Sequence, residues 1–423
     1  MKEDFLHYVW KYQKIDTLHL ATVTGETVLV IHPGQHNYNS GPDFFNAQVK
    51  IDGQLWAGNV EIHLKSSDWY AHGHEADPAY DNTILHVVWE HDTEVYSKNQ
   101  KPIDTLELKD VVDNSALKKY RYLFSAQQRW INCERQYSSV DPFVLQNWLE
   151  RLYLERLQQK SEVILKLLEQ NNNHWEAVLF QMLAKNFGLK VNGESFFSIA
   201  SSVPFSIVQK CRYILEDLEA LLYGQAGLLP EPTTDAYVAN LQQKYTYLAH
   251  KFKLDNSTVI APKFFRLRPP NFPTIRLSQL AMLYHGNTHL FSAIIEAGTK
   301  ETFYGILRCK ASSYWDTHYN FGVEGSKRAK KLTNNFMDLL LINTILPIKF
   351  CYAQGMGKDI SETLLQLTAS VQKEENTIVK RFNKLKPMAN NAMDSQALLQ
   401  LKKYYCDQNK CLDCAVGNSI LKN

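Results

Sequence analysis

The sequence is poor in the features that most often announce a function. Cysteine is scarce, seven in 423 residues. That is no disulfide framework in a chain of this length, and it points to a reducing cytoplasm. Neither GxGxxG nor GxxxxGK[ST] occurs; Gly355-Met356-Gly357-Lys358 ends like a phosphate loop but lacks the glycine that should open it. HExxH and GxSxG are missing too, which removes the usual support for a zincin or a serine hydrolase. No apolar run follows the first residues, so no signal peptide is read. The most apolar stretch, residues 336–353, is interrupted by Asp338, Asn343, Pro347 and Lys349. It falls short of the roughly 20 mostly apolar residues of a bilayer span, and no membrane partner is expected. Repeats and low-complexity segments are also lacking.

Arginine is absent from the first 110 residues. There, 8 lysines face 17 acidic residues, a charge of −9; the remainder carries 38 basic and 27 acidic residues, a charge of +11. The overall +2 therefore conceals an acidic first quarter, which also holds nine of the 14 histidines, joined to a basic remainder. With 45% hydrophobic residues the chain has material for true cores, and its length suggests two or three domains.

What is present divides in two. Residues 3–13 read as a short amphipathic helix. Strands follow: 18–23 and 27–32 around Thr24-Gly25-Glu26, then 45–51 and 56–65 around Asp52-Gly53-Gln54, then 83–90 and 103–108. Past about residue 115 the apolar period changes to that of helices, over 142–170, 174–187, 205–224, 234–252, 276–296, 334–352, 360–384 and 394–405. Asp141-Pro142 is a good helix start, with a capping carboxylate and a proline at the first helical position. The expectation is an α+β protein, with a mixed-sheet domain over 1–120 and a larger all-α domain over 121–423.

Ionisable side chains crowd the strand region. Pro42-Asp43 precedes one strand. In the next, side chains alternate, so Glu61, His63 and Lys65 share one face. Two carboxylates on neighbouring strands can hold Mg²⁺ or Mn²⁺ through oxygen ligands, and such an ion activates water against a phosphodiester while a nearby cation steadies the developing charge. This arrangement resembles the PD-(D/E)XK nuclease superfamily, in which an Asp opens the second core strand and an acidic residue and a Lys share a face of the third. The resemblance spans about residues 25–95 and implies a restriction-endonuclease-like sheet, with Asp43 and Glu61 as metal ligands and phosphodiester hydrolysis as the activity. The superfamily places Lys two residues after the acid. Here His63 stands there and Lys65 lies about 7 Å further along the strand, so either could take the cationic or general-base role.

A second reading uses nitrogen ligands. His72 and His74, with Asp77 and with His63 or His86, could form a zinc hydrolase site. The bland alternative is a buried polar network of Glu61, His63 and His86, with Asp68, Asp77 and Asp81 capping turns. Further on, Cys406-x4-Cys411-x2-Cys414 has the spacing of a zinc or iron–sulfur knuckle. Its fourth ligand is open among Cys133, Cys211, Cys309, Cys351 and His318. This tail resembles the Cys-rich closing segments of iron–sulfur DNA-repair proteins, although their fourth close cysteine is missing. Over its whole length, through GPDFFNAQV, GNVEIH, SSDWYAHGH, YDNTILHVVW and the Cys-rich tail, the chain also resembles an uncharacterised bacterial family known as a domain of unknown function, which implies no activity.

In the basic part, Arg266, Arg268 and Arg276 alternate with aromatics and prolines, and Lys327 and Arg328 begin a second cluster. Both could grip DNA or RNA phosphates, or simply be a stiff loop and a solvated helix face. The aromatic segment 313–319 could stack bases or pack. Three functional readings result: a metal-dependent nuclease-like enzyme, a non-catalytic nucleic-acid- or protein-binding module on a degenerate nuclease core, and a zinc hydrolase using the HGH segment.

Overall fold

The computed structural model describes residues 1–37, 39–125, 129–229 and 234–422. Contacts divide it into two compact units: residues 1–148 with 401–423, and residues 149–400. The sequence placed the boundary near 120 and left the cysteine tail with the helices; instead, the tail belongs to the first unit.

The first unit is built on a mixed sheet. Helix α1 (Glu3–Lys11) precedes strands β1 (Val28–His32), β2 (Gln35–His36), β3 (Phe44–Ile51), β4 (Gln54–Lys65), β5 (Thr83–Glu90) and β6 (Thr105–Glu107). The sheet order is β1-β3-β4-β5-β6, with β2 on β3. Strand β3 runs antiparallel to β1 and β4, whereas β4, β5 and β6 are parallel. The expected hairpin between β3 and β4 forms. Asp52 and Gly53 both take positive φ, 45° and 84°, the backbone that a two-residue turn needs to match strand twist. The expected strand 18–23 does not extend: it touches its neighbour through one bridge, Ala21 to Thr27.

A nine-residue helix such as α1 is marginal alone. Acidic Glu3 and Asp4 in its first turn and Lys11 in its last suit its dipole. Its stability comes mainly from burying Phe5, Leu6, Val9 and Trp10 completely, at about 1.5–3 kcal/mol for each large apolar side chain. That leaves Glu3 and His7, one helical turn apart, on another face of α1.

Only glycine fits at Gly58 of β4, because a Cβ there would stand 2.4 Å from Ile84 Cγ2 and 2.7 Å from the Asn82 carbonyl oxygen. The parallel register that follows sets Glu61 opposite His86.

Among its described residues the second unit is helical apart from a two-stranded ribbon, His318–Asn320 with Val323–Glu324. Several expected long helices are broken into pairs, such as Phe205–Cys211 with Leu215–Gln225 and Pro273–Gly286 with Leu290–Glu296. The run Asn334–Gly355 is long and apolar enough to cross a membrane by length and composition, but its most apolar window is 78% buried inside the protein, as in a core helix.

Candidate metal centre

Strand alternation and the parallel β4–β5 register gather the polar residues. Glu61, His63 and His86 are 4%, 1% and 0% exposed. The His63 and His86 rings meet Nδ1 to Nε2 at 2.8 Å, and His63 Nε2 stands 3.1 Å from His72 Nδ1. Short helix α2 (Asp68–Ala71) and the turn after it return the chain over the sheet, so that His74 Nε2 comes 3.3 Å from Glu61 Oε1. The same carboxylate oxygen is 3.6 Å from His63 Nε2. Tyr80 stacks on the His74 ring at 3.8 Å, and Trp69 meets it edge-on.

One potential ligand atom from each of His63, His72 and His74 lies within 4.8 Å of the others. His63 is buried, His74 half-buried and His72 exposed, so the cluster opens to solvent on the His72 side. Two ligands about 2.0–2.1 Å from one ion stand roughly 2.9–3.4 Å apart, which matches the His63–His72 separation.

Asp43 and Glu61 are also brought together. The Asp43 N–H donates to Glu61 Oε2 at 3.0 Å, and the Ile62 N–H donates to Asp43 Oδ2 at 3.0 Å. Helix α1 adds two residues that the strand pattern alone did not reveal. His7 Nε2 lies 3.1 Å from Asp43 Oδ2, and Glu3 is close enough to feel the charges of Asp43 and Glu61.

Burial pushes the Glu3 carboxyl up to about 7, and the Asp43 charge adds to this. Glu61 is raised as well, chiefly by burial, against the pull of its contact with His74. Burial lowers the His7 pKa, but the Asp43 carboxylate outweighs it and leaves His7 raised. Burial and neighbouring imidazoles push His63 down to about 2 and His86 to about 3. Both rings are therefore neutral at ordinary pH, the form in which imidazole ligates metals. If His63 Nε2 faces an ion, its Nδ1–H donates to His86, an outer-shell contact of the kind that fixes tautomer and ring orientation.

Other expected residues fall elsewhere. Lys65 has the right parity on β4, but its side chain is 55% exposed and its Nζ lies 3.8 Å from Asp92. The cluster thus includes His63 and not Lys65. Asp77 caps the turn at Pro78–Tyr80, accepting the Ala79 N–H at 2.9 Å. In the second unit Arg266, Arg268, Lys327 and Arg328 are exposed. Arg276 does not join them as a surface grip: it is buried, donating to Gln279 Oε1 and Asn271 Oδ1 and lying over the Phe336 ring. The aromatic segment packs, with Trp315 fully buried and Tyr314 stacked between Tyr237 and His318.

The family model described as "Protein of unknown function (DUF2851)" matches residues 3–377. The chain belongs to this family. The match takes in α1, the whole sheet and every member of the His/carboxylate cluster, and stops before the cysteine tail. No curated protein and no solved structure matches the chain.

Proposed function

We propose that the first unit is a metal-dependent hydrolase of the phosphodiester class, with a nuclease-like sheet. One observation carries this: His63, His72 and His74 converge within 4.8 Å beside the Glu61 carboxylate, which is itself tied to Asp43. Imidazole favours a borderline ion such as Zn²⁺ over the Mg²⁺ or Mn²⁺ that an all-oxygen pair would take. When bound, the ion lowers the pKa of a coordinated water and polarises a phosphoryl oxygen.

The residues then divide the work. His63, His72 and His74 hold the ion, and His86 orients His63. Glu61, its carboxyl pKa raised by burial, is placed to exchange a proton at Oε1. His7, its pKa raised by Asp43, takes the charge-stabilising place that the sequence offered to His63 or Lys65. A cleft of about 450 Å³ on the His7 side is lined by Lys2, Lys11 and Lys410 against Asp4 and Asp413, a slight excess of cations that favours an anionic chain. An Asp opening the second strand of the main sheet path, and an acid on the third, supports the phosphodiester class, because it is the placement of the nuclease superfamily that the sequence resembles.

The test uses the full chain, stripped of metal and reloaded singly with Zn²⁺, Mn²⁺ or Mg²⁺. It is offered duplex DNA, single-stranded DNA and RNA. Cutting by the Zn²⁺ or Mn²⁺ form, abolished in Glu61→Gln and His72→Ala, is expected. Metal binding with tight nucleic-acid binding but no cutting by any form would replace this reading with a non-catalytic binding module.

A further inference from the structure

We propose that Cys133, Cys406, Cys411 and Cys414 form a four-thiolate centre for a soft metal, a zinc ion or an iron–sulfur cluster, distinct from the histidine site. Of the candidates for the fourth ligand, Cys211, Cys309, Cys351 and His318 belong to the second unit, whereas Cys133 lies in the first with the tail. Asn132 ties the chain beside Cys133 to the tail. Its Nδ2 donates to Asn409 Oδ1 at 3.0 Å and to Cys411 Sγ at 3.5 Å, across 279 positions of sequence. Each of the Cys133 and Cys406 thiols lies within electrostatic reach of the other and of Cys411 and Cys414. All four are reduced, and three are buried.

A hydrogen bond separates the knuckle from ordinary buried thiols: Cys411 Sγ receives the Asn132 amide N–H at 3.5 Å. Donors aimed at sulfur favour the thiolate, the form that binds metal. In the second unit the polarity is reversed: Cys309 donates to the Gln279 carbonyl and Cys351 to the Ser161 carbonyl, as thiols. The knuckle backbone is tightly built. Asn409 takes φ 56°, Lys410 N–H donates to the Tyr405 carbonyl, and at Gly417 any Cβ would stand 2.0 Å from the Cys411 carbonyl oxygen.

Metal analysis and absorption spectra of the full chain, purified after growth with added zinc or added iron, test this. We expect either about one zinc held by the cysteines, besides any at the histidine site, or iron with acid-labile sulfide and visible charge-transfer absorption. The cysteine-bound share should be lost in Cys133→Ser and Cys414→Ser, and kept in Cys211→Ser. Zinc and iron identify the two forms of the centre. Unchanged content in Cys133→Ser would overturn it. Should the serine variants fail to fold, Co²⁺ loaded into the wild-type chain decides: thiolate-to-cobalt charge-transfer absorption is expected, and a spectrum of nitrogen and oxygen ligation alone would sink the proposal.

Discussion

Asp43 and Glu61 hold each other through the backbone. The Glu61 carboxylate accepts the Asp43 N–H at 3.0 Å, and the Asp43 carboxylate accepts the N–H of Ile62, the residue after Glu61, at 3.0 Å. Each acid is oriented by the strand that carries the other. Substitutions at Glu61 therefore separate charge from architecture. Glu61→Gln keeps an acceptor for the Asp43 N–H and should fold normally while losing metal affinity by about 10–100-fold. Glu61→Ala leaves that buried N–H unpaired and should lose about 1–3 kcal/mol of stability besides. Calorimetric metal titration and urea denaturation of both variants check this.

The two neutral histidines give a pH dependence of definite sign. Their folded pKa values lie below the ordinary 6.5, at about 2 for His63 and about 3 for His86. As pH falls below 6.5 the unfolded chain takes up protons that the folded chain refuses. Stability is intact above 6.5 and declines toward the folded values, by at most about 1.4 kcal/mol per pH unit for each ring. In metal-free protein, His86→Gln should show a shallower loss between pH 6.5 and 4.5 than the wild type. An identical slope in urea melts would refute this.

Glu3 acts in the opposite direction. Its folded pKa of about 7 stands above the ordinary 4.5. The folded chain thus gains a proton, and stability, as pH falls from 7 to 4.5, and carries an unfavourable buried charge above 7. Glu3→Gln should stabilise the protein by about 1 kcal/mol at pH 8, after discounting for partial exposure, and have almost no effect near pH 4.5. Paired denaturation curves at the two pH values suffice.

Lys65 and His7 compete for one role, and the geometry separates them. The Lys65–Asp92 pair is largely solvated, so Lys65→Ala should change stability by about 0–1 kcal/mol and hydrolysis by less than about threefold. His7→Gln removes the cation beside Asp43 and should cost about 10–100-fold in hydrolysis. Steady-state rates on one nucleic-acid substrate decide, and a larger loss at Lys65 would return the cationic role to it.

Gly58→Ala probes the sheet under the site. Its Cβ would press on Ile84 and the Asn82 carbonyl, forcing β4 from β5. About 2–4 kcal/mol of destabilisation is expected, with weakened metal binding, because His86 and Glu61 face each other across that seam. Thermal melts and metal titration of the variant read both effects.

The sheet was legible because its signals are local. Asp52-Gly53 fixes one hairpin, and period two puts Glu61 and His63 on one face without reference to anything distant. The loop histidines were noticed from their density, but their convergence on Glu61 depends on how residues 66–82 fold back. Glu3 and His7 were missed because their contact with Asp43 crosses some 40 positions; their one hint was polar spacing of four on an amphipathic helix. Residues 18–23 had strand-like composition and lacked a full pairing partner. Arg276 sat in a basic, aromatic stretch, and nothing local distinguishes an arginine gripping phosphate from one satisfied by Asn271 and Gln279. Cys133 was one of four dispersed cysteines, and only the fold puts it in one unit with the tail.

The discontinuity of the first unit sets an order on its making. Residues 401–423 complete the unit begun by residues 1–148, and they leave the ribosome only after all of 149–400. The sheet and its histidine cluster can therefore assemble early, while Cys133 waits, unpaired, for more than half of the chain to be synthesised. A nascent chain stalled anywhere before Cys406 should carry a formed sheet and an unfinished clamp.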